Sequence, residues 1–187
     1  MAIKVYIDQG HNPVNPNAGA EGNGLREQNV VFEIGRLLAE RLNADPAFEA
    51  RLSRPTIDTQ LGPSTSTSLS TRVNEANRWG ADYFISLHTN ASELSEATGS
   101  EALVYARNTV AYELGEDILF RLNQTTGLPN RGVRLRPGLY VLRRTQMPAV
   151  LVELGFISNP GDAALMSQDP GLFAEGVYLG IKDYTGA

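Results

Sequence analysis

The sequence predicts a single α/β domain built on a mostly parallel sheet. Three observations lead there. Short β-branched and aromatic segments alternate with amphipathic ones along the chain, the pattern of strands that cross over through helices. Ala149 to Val152 is apolar at every position, as an inner strand covered on both faces would be. With 187 residues, 42% of them hydrophobic, the chain is long enough for one sizeable core and leaves little room for a second. One domain is therefore expected over residues 1–187.

In chain order, Ile3 to Asp8 reads as a strand that turns at Gln9-Gly10. A loop rich in Asn, Gly and Pro follows, from His11 to Gly24. The spacing of Val31, Ile34, Leu38 and Leu42 predicts a helix over about Leu25 to Asn43. Phe48 to Ser53 alternates as a second strand. The stretch Pro55 to Ser70, with the run Ser64 to Ser68, reads as a solvated loop because such composition resists packing. A short helix over about Thr71 to Trp79 then leads into the strand Asp82 to His88. Another strand is expected over Glu101 to Ala106, and a helix over Ala111 to Gln124. Val133–Leu135 and Leu139–Leu142 read as strand pieces joined through Pro137-Gly138. After the inner strand Ala149 to Glu153, the pairs Asn159-Pro160 and Asp169-Pro170 each set a capping residue before a first-turn proline. Two helices should finish the chain.

Composition removes several chemistries. Without cysteine there is no disulfide, no thiol nucleophile and no sulfur-ligated zinc. Two histidines exclude a three-histidine metal centre, so a metal here needs a carboxylate as well. A net charge of −5 argues against nucleic acid, which demands a cluster of phosphate-neutralising cations. No apolar run approaches the roughly 20 residues of a membrane helix, so no membrane insertion is expected. Met1 leads straight into strand-like residues, which reads as a chain without a signal peptide, either leaderless or a trimmed domain. There is no G-x-S-x-G elbow, P-loop, dinucleotide fingerprint or H-E-x-x-H motif.

The two histidines fall at comparable places. His11 follows the first strand by three residues, and His88 closes the strand that begins at Asp82. Ligands of open α/β sheets bind beyond the carboxyl ends of strands, so both imidazoles are expected on one edge. Glu27 sits one turn before Val31 on the inward stripe of its helix. There it is either a charge compensated by the helix N-terminus or by Arg26 or Arg54, or a metal ligand. Glu153 closes the apolar strand on the same expected edge, as a salt-bridge partner or a catalytic acid. Together the four match a known chemistry. Two histidines and one glutamate would give Zn²⁺ three ligands and leave a place for water, and a second glutamate could take and return its proton.

Several motifs extend the match. They are Ile7-Asp8-Gln9-Gly10-His11, Gly24-Leu25-Arg26-Glu27, Thr71-Arg72-Val73-Asn74-Glu75-Ala76-Asn77, Ile85-Ser86-Leu87-His88-Thr89-Asn90-Ala91, Gly99-Ser100-Glu101, and the run from Met147 to Pro160. In this order they resemble the zinc-dependent N-acetylmuramoyl-L-alanine amidases of the Amidase_3 family, over nearly the whole chain. The resemblance implies a six-stranded, mostly parallel sheet with helices on both faces, of the phosphorylase/hydrolase-like kind. It implies Zn²⁺ held by His11, Glu27 and His88, with Glu153 as the catalytic acid/base. The implied substrate is peptidoglycan, cut at the amide between the lactyl group of N-acetylmuramic acid and L-alanine. That places the protein outside the cytoplasmic membrane, wall-associated or secreted. Gln9 and Asn12 depart from the family around the first histidine, so the loop after it is expected to shape the groove differently. The short connection from His88 to the helix at Ala111 leaves no room for the inhibitory helix that some members insert.

Two other readings of the same residues are a zinc peptidase or deacylase acting on another amide, and a catalytically silent wall-binding domain. Outside the site, Arg131, Arg134, Arg136, Arg143 and Arg144 crowd one stretch. They read either as contacts for stem-peptide carboxylates or, with more weight, as a solvated face paired with the excess acids. Asn77 and Asn90 are expected to brace loops.

Overall fold

The computed structural model describes every residue from Met1 to Ala187. Its main sheet has six strands: β1 (Ile3–Gln9), β4 (Phe48–Leu52), β5 (Tyr83–Asn90), β6 (Ser100–Val104), β7 (Asn130–Leu135) and β8 (Ala149–Phe156). Their order is β4-β1-β5-β8-β6-β7. All neighbours pair in parallel except β6 with β8, which run antiparallel. The carboxyl ends of β1, β5 and β8 therefore share one edge with the amino ends of β6 and β7. A two-residue hairpin, β2 (Glu21–Gly22) with β3 (Leu25–Arg26), lies in the loop after β1 and was not foreseen.

Alternation along the strands divides the core in two. Val5, Ile7, Ile85, Leu87, Val150 and Val152 face α1 (Glu27–Ala44), α3 (Val110–Thr126) and α6 (Pro170–Thr185). Tyr6, Phe84, Leu103 and Leu151 face α2 (Thr65–Trp79) and the short α4 (Tyr140–Arg144). Helices thus cover both faces, and the inner strands are buried on each side as their composition required. The helix α5 (Pro160–Gln168) begins as expected, with Asn159 accepting from the Gly161 and Asp162 amides. No helix is long and apolar enough to cross a membrane.

Two expectations are corrected. The run Ser64 to Ser68 is not a loop: Ser64 caps α2, accepting from the Thr67 amide while Thr67 answers the Ser64 amide, a reciprocal capping box. The serines and threonines fill the first helical turn, where the Ser64 side chain satisfies an otherwise orphaned donor. Leu139 to Leu142 is likewise no strand. Val141 and Leu142 are buried on the first turn of α4 against Leu103, Ala149 and Leu151. β5 and β8 also run further than expected, to Asn90 and Phe156, which places His88 and Glu153 inside strands.

Candidate metal centre

Each of the four acidic and imidazole side chains arrives by a separate element. His11 comes two residues after β1, with the unusual backbone angle φ 66°. A non-glycine residue there carries a strain of about 1–3 kcal/mol and must be held. Arg72 of α2 holds it. Its guanidinium donates to the His11 carbonyl at 2.5 Å and the Gln9 carbonyl at 2.6 Å, and pairs with Asp8 at 2.6 Å. Asp8 and Arg72 are almost fully buried, and the Ser86 hydroxyl donates to the second Asp8 oxygen at 2.7 Å. Burial pushes the Asp8 carboxyl up, but the Arg72 charge and these hydrogen bonds outweigh it and hold it below the usual range.

Glu27 is the first residue of α1 and is 4% exposed. Neither expected arginine serves it, because Arg26 pairs with Glu21 and Arg54 donates to the Gln28 and Ile57 carbonyls. Its Oε1 lies 3.1 Å from His11 Nε2 and 3.1 Å from His88 Nδ1, and accepts from the Thr89 amide at 2.9 Å. Its Oε2 accepts from the Ala20 amide at 2.9 Å. Burial pushes this carboxyl up, yet the hydrogen bonds from both imidazoles win and keep it well below the ordinary carboxylate range. The two imidazole rings meet edge to face at 4.8 Å. One potential ligand atom from each of His11, Glu27 and His88 falls within 4.8 Å of the others.

Glu153 stands beside them with the opposite character. It pairs in register with His88 on β5 and with Glu101 on β6. Its Oε2 is buried without a hydrogen-bond partner. Burial is the main cause that pushes its carboxyl up to about 7, with Glu27 and Glu101 adding to it against the pull of His88. Two neighbouring carboxyls driven apart in pKa are the arrangement that separates a permanent anion from a proton carrier.

Sequence reading missed the parts that hold this centre. Gly10 is one: a Cβ there would sit 2.5 Å from the His88 ring and 2.7 Å from the Leu87 carbonyl, so only glycine lets β1 end against the imidazole. Gly19 lies equally close to Glu27 and His11. Asn12 is fully buried and ties its loop to Pro16, Leu61 and Ser68. Asn77 bonds Arg144 and Gln146 and so braces the connection after α4 as expected, whereas Asn90, at the end of β5, donates to Glu101 of β6 at 3.1 Å and joins two strands.

The profile of the Amidase_3 family, described as N-acetylmuramoyl-L-alanine amidase, matches residues 5–183. The chain belongs to this family. Among similar proteins, the N-acetylmuramoyl-L-alanine amidase LytC of Bacillus subtilis is 37% identical over 166 residues, 88% of this chain and 31% of LytC. The sporulation-specific N-acetylmuramoyl-L-alanine amidase of the same organism is 34% identical over 86% of this chain and 59% of its own length. The catalytic domain of the amidase CwlV from Bacillus (Paenibacillus) polymyxa superposes with a TM-score of 0.86 at 29% identity, covering 98% of both chains. This Amidase_3 chain thus spans about a third of one curated relative and under two thirds of the other, but nearly all of a solved catalytic domain.

Proposed function

We propose that residues 1–187 form one catalytic domain of a zinc-dependent N-acetylmuramoyl-L-alanine amidase. It would cleave the amide between the lactyl group of N-acetylmuramic acid and the L-alanine of peptidoglycan stem peptides. The observation that carries this is the meeting of His11, Glu27 and His88 beside an unpartnered Glu153, in a chain of this family. The donor set suits zinc. Bonds of about 2.0–2.2 Å in a tetrahedron separate ligand atoms by about 3.3 Å, close to the 3.1 Å between Glu27 and each imidazole. The Thr89 and Ala20 amides would orient Glu27 as second partners of a ligating carboxylate do. When bound, zinc supplies Lewis acidity that polarises the amide carbonyl and eases ionisation of water.

The remaining chemistry belongs to the chain. Glu153 as carboxylate accepts the proton of the attacking water and returns it to the L-alanine nitrogen as the C–N bond breaks. Water and amide thus become a lactyl carboxylate and a free amine. Arg72 and Gly10 keep His11 and His88 in place through these steps. Peptidoglycan as substrate puts the site of action outside the cytoplasmic membrane, in the wall or secreted.

Incubating the protein with purified peptidoglycan, and separately with an unrelated peptide, tests the reading through the new amino termini released. N-terminal L-alanine from peptidoglycan alone is the expected result. Cleavage of both substrates would move the assignment to a general zinc peptidase. Glu153→Gln should keep zinc and lose about 10²–10⁴ in turnover, whereas His88→Ala should lose both.

A further inference from the structure

Between Asp117 and Glu153 the chain contains no aspartate or glutamate, although acids outnumber Lys and Arg by 21 to 16 overall. Five arginines concentrate in the later part of that stretch. Arg131, at the start of β7, lies 3.8 Å from Glu101, donates to the Thr98 carbonyl and covers the Phe156 ring at 5.0 Å. Arg134, Arg136, Arg143 and Arg144 are exposed and none has a carboxylate oxygen within 4.0 Å. The expected pairing with surplus acids is therefore absent for these four.

Their placement is ordered. β7 pairs Asn130 with Ser100 and Val133 with Ala102, so one extra residue bulges where Gly132 takes φ 83°. The shift sends Val133 into the core and turns Arg134, opposite Leu103, towards the face covered by α4. Arg136 follows on the same side, and the last turn of α4 contributes Arg143 and Arg144. β7 starts on the edge that carries Glu153 and leads away from it, about 3.3 Å per residue. Arginine on an outer strand also discourages edge-to-edge pairing, which accounts for the β7 residues but not for those on α4.

We infer that Arg134, Arg136, Arg143 and Arg144 form a docking surface for the stem-peptide carboxylates of peptidoglycan flanking the bond to be cut. This rests on the amidase reading above. The cleavage centre offers a carboxylate no free cation of the chain, because Arg72 is committed to Asp8 and Arg131 faces Glu101, so the polymer's anions are met beyond it. The arginine surface leads away from the centre along β7 and the end of α4, and a guanidinium fork fits a carboxylate in two parallel hydrogen bonds.

The test uses the full chain carrying Glu153→Gln, so that the polymer survives, and measures co-sedimentation with peptidoglycan stripped of phosphate-bearing polymers. Arg134→Glu/Arg136→Glu and Arg143→Glu/Arg144→Glu should each weaken binding about tenfold, more at low salt than at high. Arg36→Glu/Arg41→Glu on α1, the same change in net charge, should bind as the parent does. Peptidoglycan whose carboxylates have been converted to amides should bind the parent as weakly as native peptidoglycan binds the reversed variants, an arm that needs no variant to fold. Undiminished binding by the reversed variants, an equal loss in the α1 control, or indifference to amidation overturns the inference. So does a charge effect seen only on walls that keep their phosphate polymers. Failure of the wild type to release N-terminal alanine would instead refute the amidase reading, whatever the binding shows.

Discussion

Replacing Arg72 by methionine tests whether a buried ion pair holds the end of β1 in place. Arg72 is 1% exposed, and its guanidinium serves Asp8, the Gln9 carbonyl and the His11 carbonyl at 2.5–2.6 Å. Methionine fills much of the same space but leaves Asp8 with only the Ser86 hydroxyl. Breaking a buried pair from one side costs about 3–5 kcal/mol, and the freed carbonyls add about 1 kcal/mol. At about 2–4 °C per kcal/mol for a domain of this size, the unfolding midpoint should fall by roughly 8–24 °C. Circular dichroism of the metal-free protein during thermal and urea unfolding at pH 7 reads this directly. The pH dependence gives an independent signature. In the wild type the Asp8 pKa is lowered, so its stabilisation is present above the unfolded value near 4 and is lost as pH falls through the folded one. In the variant, burial without a cation raises that pKa, so protonation relieves the folded state as pH falls. The gap between the two proteins should therefore narrow as pH falls, first through the raised pKa of the variant and then from the unfolded value near 4 through the lowered one of the wild type. Adding Asp8→Asn to Arg72→Met removes the stranded charge and should restore most of the loss. A deficit under about 1 kcal/mol in the single variant, or no recovery in the double, refutes the reasoning.

Other expectations follow from the same geometry. Glu153 in the metal-free protein has its pKa raised to about 7 by burial, which favours the folded state below the unfolded value near 4.3 and is lost as pH rises through 7. Glu153→Gln should thus stabilise the metal-free protein by about 1–3 kcal/mol at pH 8 and hardly at all at pH 4, measured by urea titration. Gly10→Ala drives a Cβ into the His88 ring and the Leu87 carbonyl; zinc affinity by chelator competition should drop about tenfold or more, and an unchanged affinity would show that β1 can retreat. Ser64→Ala removes half of the α2 capping box and should cost about 1 kcal/mol of stability while leaving zinc content intact. Stripping zinc with a chelator should abolish amide cleavage, and zinc alone should restore it; activity that survives complete metal removal excludes a metal role.

The strand and helix order was legible because its signals are local. Glu27 could be found by counting back along a helical stripe, and Pro160 and Pro170 announce the last two helices, with Asn159 capping the first of them while the Asp169 side chain makes no capping bond to the second. The misread segments lacked such signals. Ser64 finds its capping partner in Thr67, where the familiar pattern has glutamate or glutamine. Leu139 to Leu142 is too short for its apolar pattern to distinguish strand from helix, and burial against β6 and β8 decides it. The Asp8–Arg72–Ser86 network joins residues 64 and 78 positions apart, so nothing local announces it.

The ionisation of the site was the least legible property, because it depends on which donors the fold brings to each carboxyl. Glu27 occupies the first turn of α1, where the Ala20 amide of the preceding loop and the Thr89 amide, freed by the irregularity of β5 between His88 and Asn90, face its side chain. Its carboxylate collects those donors together with two imidazoles. Glu153 lies inside β8, flanked by β5 and β6, where neighbouring backbone donors are committed to the sheet. One of its oxygens therefore meets no donor at all, and burial governs it. Both residues read in the sequence as an acid at the boundary of an element. The two imidazole donors that reach Glu27, and that Glu153 lacks, separate an anion from a group that can exchange a proton near neutrality.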